Sequence, residues 1–306
     1  MHIAPAIYYF EVHLLYASLV CCAAWIITRL PFGSATLKYW IWVATTLNFM
    51  VPLAGFIDEF GATRISWARP LSVLGDAGVA ASRSTAAVVL FIVWLAVSVA
   101  LATRLTLRLR RERRSAAAPS AVPAAELRVL GVPVEFARHE HPPCVDGVLR
   151  SRISLPYGID AILTRDELEA VLLHEATHAR RRDNLIRLLY EIGRCALWFH
   201  PLVWLTGAKL ALYRELSCDE SVIRRSRGRE LVSALAKLAD PGRSTPVLQA
   251  SAASFLSVRV AQLSAGQPGK RSLAVNLSVA GLFALALLSG VYSTVAHTAC
   301  CFVIRN

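Results

Sequence analysis

The chain has 306 residues, of which 55% are hydrophobic and 18% charged, and its mean hydropathy is +0.48; a water-soluble protein of this length carries more charge, so composition points to the membrane. The formal net charge of +12 would suit nucleic acid or anionic lipid. No aromatic–basic platform or base-reading motif accompanies it, and the arginines cluster beside apolar segments, which argues against nucleic-acid binding.

Four apolar stretches are long enough for helices of about 20 residues that cross a bilayer. They run over about 8–27, interrupted by Glu11 and His13, then 39–57, 86–103 and 273–295. Lys and Arg in the short loops set the orientation. Arg29 and Lys38 follow the first stretch, Arg104, Arg108, Arg110, Arg111, Arg113 and Arg114 follow the third, and Lys270 and Arg271 precede the fourth. All these segments should be cytoplasmic, with the N-terminus, the 58–83 loop and the short C-terminal tail outside. The N-terminus lacks the basic region of a cleaved signal peptide. The seven cysteines (Cys21, Cys22, Cys144, Cys195, Cys218, Cys300, Cys301) form neither a C-x-x-C pair nor a disulfide framework, and most read as small apolar packers.

Residues 115–125, rich in Ala, Pro and Ser, read as a linker into a cytoplasmic domain over 126–272. Alternation over 127–136 predicts short strands with a turn at Gly131-Val132-Pro133, and 152–156 predicts a short edge strand closed by Pro156. A helix starts at Thr164, where Thr164 and Glu167 make a T-x-x-E capping box, and runs through His178 to about Asp183. The apolar, aromatic segment 197–205 is too short to count as a span, although Trp198 and Trp204 suit a membrane interface. Pro201 should open the helix that follows, with His200 as a structural residue before it. Two further helices are expected within 228–265, around a loop at 240–246 that reads as surface rather than as a self-cleavage site.

The chemistry lies in His174-Glu175-Ala176-Thr177-His178. H-E-x-x-H puts both histidines on one helix face, from which two imidazoles reach one tetrahedral zinc ion. Glu175 beside them can act as general base on a water and later as acid to the leaving amine. A catalytic zinc needs a third protein ligand, and no distal histidine of the H-E-x-x-H-x-x-G-x-x-H kind follows. Glu215, in Arg214-Glu215-Leu216-Ser217-Cys218-Asp219, is the best candidate. Asp219, one turn further on, is placed to hold the other ring nitrogen of a ligand histidine. Structural zinc sites close with a fourth ligand, so three ligands plus a base argue against a vestigial site on a scaffold protein. Charged residues flank the motif too closely for its helix to lie in hydrocarbon.

These residues resemble the BlaR/MecR antirepressor metallopeptidases, membrane gluzincins of beta-lactam signalling. The resemblance rests on Arg152-Ile153-Ser154-Leu155-Pro156, on Val171-Leu172-Leu173 ahead of the H-E-x-x-H motif, and on Arg181-Arg182-Asp183. It continues through Phe199-His200-Pro201-Leu202-Val203-Trp204 and Glu215-Leu216-Ser217-Cys218-Asp219, covering 150–223 strongly. It implies Zn2+ held by His174, His178 and Glu215, with Glu175 catalytic, in a bacterial plasma-membrane protein. The fold implied is a mainly α membrane protein: four transmembrane helices plus a cytoplasmic α+β gluzincin-type domain with a small sheet. The partners implied are the lipid bilayer and a cytoplasmic protein substrate such as a DNA-binding repressor, or the protease itself; a homodimer is a further expectation. Cys218 favours this family over quality-control or CAAX-type membrane metalloproteases, which usually carry Ala there. Family members often show Asn where His200 stands. The beta-lactam sensors carry a penicillin-binding domain after the last span, whereas this sequence runs to Asn306 with no external S-x-x-K motif, so beta-lactam sensing by this chain alone is not expected.

Overall fold

The structure is a computed structural model that describes residues 3–30, 33–50, 85–116, 128–137, 142–239, 256–265 and 273–304. Among the described residues its N-terminal part holds the apolar helices α1 (Ile3–Arg29), α2 (Ala35–Met50) and α3 (Thr85–Ala116). Among the described residues, two helices contain segments long and apolar enough to cross a membrane, Phe10–Arg29 and Val88–Arg111. In α3 the large side chains Val88, Val89, Leu90, Phe91 and Ile92 are all exposed. A core helix of a soluble protein would bury them, and an apolar surface this continuous is what a membrane-spanning helix presents to lipid. Inside α1 and α2 the hydroxyls of Ser18, Thr28, Thr45 and Thr46 donate to the carbonyl four residues back, so they place no unsatisfied polar atom in an apolar helix. The second predicted span continues past α2 into 51–57, outside the described residues. So do most of the 115–125 linker and the whole 240–246 loop.

Four short strands follow: β1 (Arg128–Val129), β2 (Val132–Ala137), β3 (Cys144–Asp146) and β4 (Arg152–Pro156), in the order β1-β2-β4-β3. The β1–β2 turn is Leu130-Gly131, both at positive φ (50° and 83°), which matches the right-handed twist of a tight hairpin. Val132 and Pro133 therefore belong to β2, not to the expected turn. The expected edge strand 152–156 is interior: β4 pairs parallel with β2 and antiparallel with β3. The three-residue run of buried Ile153, Ser154 and Leu155 fits a strand flanked on both sides.

Helix α4 (Arg165–Arg181) packs its apolar face, including Ala170, Val171, Leu173 and Ala176, against this sheet and against α7 (Gly228–Leu238). The capping box forms as read, with Glu167 N donating to Thr164 Oγ1 and Thr164 N to Glu167 Oε2. Glu167 also accepts from Ser233 Oγ and, at 2.7 Å, from Lys237 Nζ, which ties the start of α4 to α7. Lys237 first, then Ser233 and the Thr164 amide, hold its carboxyl down at about 2, against an ordinary 4.5. A depressed carboxyl contributes stability that is present above its unfolded pKa and is lost as pH falls through the folded one. Glu167→Gln should therefore lower Tm at neutral pH, with the gap to wild type closing between pH about 4.5 and about 2. A gap that stays constant over that window would remove this account of Glu167.

The helix ends two residues earlier than expected. Arg182 turns left-handed at φ 57°, and Asp183 opens α5 (Asp183–Ala196). A bend then leads to α6 (Pro201–Ile223), with Pro201 at its first position as expected. The α5–α6 hairpin lies along the apolar helices. His200 Nε2 is 3.2 Å from Ser18 Oγ, Tyr213 Oη donates to Thr28 O at 3.0 Å, and Trp94 Nε1 of α3 donates to Ala196 O at 2.8 Å. A Cβ at Gly207 would overlap the Tyr190 ring, so glycine there permits the close approach of α5 and α6. After α7 come a short helix α8 (256–264) and the long α9 (Leu273–Ile304), whose Val279 and Phe283 join the core shared by α1, α2 and α6.

Candidate metal centre

One turn apart on α4, the rings of His174 and His178 converge, with Nε2 atoms 3.1 Å from each other. Glu215 of α6 completes a triangle: Oε2 lies 3.5 Å from His174 Nε2 and Oε1 lies 3.8 Å from His178 Nε2. Zinc–ligand bonds of about 2.0–2.1 Å give tetrahedral edges of about 3.3 Å, so these separations fit a shared four-coordinate ion. The electrostatics fit too. Burial alone would lower the His174 pKa, yet Asp219 and Glu215 outweigh it and raise it to about 9. Burial also opposes the charge on His178, while Cys218, Glu215 and Asp183 push its pKa well above the ordinary value. Burial would raise Glu215, but His178, His174 and Arg214 hold its carboxyl well down, so it stands ionised. The surroundings thus favour positive charge between the two imidazoles, which a divalent cation supplies.

Each histidine is backed by a carboxylate on its other ring nitrogen. His178 Nδ1 is 2.7 Å from Asp183 Oδ2. His174 Nδ1 is 3.0 Å from Asp219 Oδ1, a close approach that falls outside hydrogen-bond geometry. Such partners set the tautomer and aim the Nε2 lone pair. Asp219 is itself clasped by Arg259 of α8, whose Nε and Nη2 donate to its two oxygens at 2.8 Å each. Arg259 Nη1 also comes within 3.4 Å of Glu215 Oε2, while Arg214 Nε and Nη2 donate to Glu215 Oε1. Gln262, donating to Leu216 O at 2.8 Å, fixes α8 on the same side.

Glu175 follows His174 directly and is partly buried; burial lifts its pKa above the ordinary carboxylate value even against the pull of both histidines. Cys144 of β3 lies within its field: burial first, then Asp146 and Glu175, push the thiol up to about 12. Cys218 is a second neighbour of the site, and one donor atom each from His174, His178 and Cys218 fall within 4.8 Å of one another, so this trio could hold a metal as well. Its Sγ approaches His178 at Nδ1, 3.4 Å away, on the edge that Asp183 already occupies, and Arg181 Nη2 lies 3.0 Å from it.

The structure thus brings together His174, Glu175, His178, Glu215 and Asp219, all read from the sequence. It leaves His200 elsewhere, at the start of α6 with its ring against Ser18 of α1 and Phe49 of α2. Asp183, Arg214 and Arg259 escaped the chemical reading of the sequence. Asp183 had a weak signal, five residues after His178; Arg259 had none, because only the packing of α8 carries it to Asp219.

An H-E-x-x-H helix facing a carboxylate on a later helix is the arrangement of a metallopeptidase. The chain belongs to the BlaR1 peptidase M56 family, whose model matches residues 10–260. It is 38% identical over 82 residues to the Regulatory protein BlaR1 of Bacillus licheniformis, a stretch that covers 27% of this chain and 14% of that protein. It is 25% identical over 93 residues to the Methicillin resistance mecR1 protein of Staphylococcus aureus, covering 30% of this chain and 16% of the relative.

Proposed function

We propose that the protein is a membrane-embedded zinc endopeptidase that cleaves a cytoplasmic protein in a signalling pathway, either a DNA-binding repressor or the protease itself. The convergence of His174 Nε2, His178 Nε2 and the Glu215 carboxylate beside Glu175 carries this reading. Membership of the M56 family and the regulatory name of the Bacillus relative support it.

In this reading 1–114 holds three spans, 126–272 forms the cytoplasmic protease domain and 273–306 the fourth span with a short external tail. The Lys and Arg pattern of the loops supports that orientation. His174, His178 and Glu215 hold zinc in preference to the trio with Cys218, because a ring nitrogen occupied by Asp183 has no lone pair to offer. Zinc, when bound, polarises the scissile carbonyl and acidifies a water. Glu175 would accept a proton from a water at the site and return one to the leaving amine, and burial raises its pKa above the ordinary carboxylate value. Asp183 and Asp219 keep the two imidazoles aimed, and Arg214 and Arg259 hold the Glu215 carboxylate ionised and oriented.

Cytoplasmic protein N-termini, sequenced from cells that express either the wild-type chain or Glu175→Gln, test this directly. Termini that appear only with wild type are the expected result. Identical sets from both strains, with the wild-type chain loaded with zinc, would overturn the reading.

A further inference from the structure

The metal centre has a partner from an unexpected quarter. Tyr39 lies near the start of α2, 0% exposed, and donates from Oη to Asp183 Oδ1 at 2.7 Å. The other oxygen of the same carboxylate, Oδ2, is 2.7 Å from His178 Nδ1 and accepts from Arg181 Nη2 at 2.6 Å. The Arg181 guanidinium in turn lies 4.3 Å over the Tyr39 ring. A second set of contacts pins the same end of α2 to the helix that bears Glu215: Thr36 N and Oγ1 both donate to Glu220 Oε2, at 2.9 and 3.0 Å, and Ser217 Oγ donates to Thr36 Oγ1 at 3.0 Å.

We propose that Tyr39 is a positioning residue for the metal centre: its hydroxyl fixes the Asp183 carboxylate, and that carboxylate fixes the ring of His178. A buried tyrosine hydroxyl needs some partner, and a backbone carbonyl would serve. Here the partner is a carboxylate that already holds a candidate metal ligand, His178. Asp183 is 3% exposed, so without the Tyr39 hydroxyl Oδ1 loses a charge-assisted hydrogen bond that water cannot readily replace. The carboxylate is then held through Oδ2 alone, by Arg181 and His178, and its loosened orientation passes to the His178 ring. The start of α2 thereby becomes a working part of a centre whose other members lie beyond residue 170. This inference rests on the proposed zinc site.

The test uses the full chain in nanodiscs, loaded with Co2+ as the spectroscopic probe. Tyr39→Phe keeps the ring and its contact with Arg181 and removes only the hydroxyl. It should weaken Co2+ binding about 10-fold, the lower end of what loss of an outer partner costs a metal site, and shift the visible d–d bands. The Tm of the metal-free chain should fall as well, because a buried carboxylate loses a donor, so the Co2+ affinity and spectrum decide the matter. In an Asp183→Asn background the same substitution should add nothing further. A Tyr39→Phe chain that matches wild type in Co2+ affinity and spectrum, or that differs only in metal-free Tm, overturns the proposal and leaves the zinc-site reading untouched. If Tyr39→Phe does not fold, Asp183→Asn alone decides: an unchanged Co2+ spectrum overturns it, since Tyr39 acts only through Asp183. A wild-type chain that binds no Co2+ removes the proposed function itself.

Discussion

Glu175→Gln is expected to slow peptide hydrolysis by about 10²–10⁴-fold, the range for loss of a positioned general acid–base, equivalent to about 3–5 kcal/mol of transition-state stabilisation. Glutamine keeps the shape and half-buried position of the side chain but can neither accept a proton from water nor return one to the amine. Metal content should be unchanged, since His174, His178 and Glu215 are untouched and Asp219 and Asp183 still face the rings. Both quantities are read on one preparation, zinc by elemental analysis and turnover by the appearance of a Glu175-dependent N-terminus. Lost turnover with full zinc is the signature of a base. Lost turnover with lost zinc would instead make Glu175 part of the metal's support.

Removal of the metal should be the largest perturbation of stability. At free zinc 100-fold above Kd, binding to the folded state contributes about 2.7 kcal/mol, about 5–10 °C in Tm for a domain of this size. Chelation of the wild-type chain should lower Tm by that amount. His178→Ala and Glu215→Gln should start low and show no response to chelator. Cys218→Ser separates the two candidate donor sets: it keeps the zinc-dependent Tm shift if Glu215 is the third ligand and loses it if the thiol is. The approach of Sγ to the occupied edge of His178 favours the first outcome.

Much of this centre was legible because it is local. H-E-x-x-H fixes two imidazoles through helix geometry alone, and Glu215 and Asp219 repeat the same four-residue spacing on α6. Thr164 and Glu167 announced the start of α4 by the same kind of short-range chemistry. The sheet was read less well. The place of 152–156 depends on which strands flank it, and no residue within 152–156 states that. The β1–β2 turn lies one residue earlier than Gly131-Val132-Pro133 suggests, because proline is a common turn residue but here the positive-φ pair Leu130-Gly131 does the turning. Tyr39 and Arg259 were illegible for a stronger reason: each reaches the site by the packing of a whole helix, and no periodicity in the sequence encodes the meeting.

The hydrogen bonds that bring these two residues in also set how the chain is looped. Tyr39 and Asp183 are 144 positions apart, and Asp219 and Arg259 are 40 apart. The entropy of closing a loop grows only with the logarithm of its length, so the longer closure costs about 1 kcal/mol more than the shorter. The centre therefore behaves as a reversible staple whose grip is nearly indifferent to how much chain lies between its jaws. A change in the length of the intervening chain therefore costs the centre little, whereas the loss of the Tyr39 hydroxyl or the Arg259 guanidinium removes one of these closures outright.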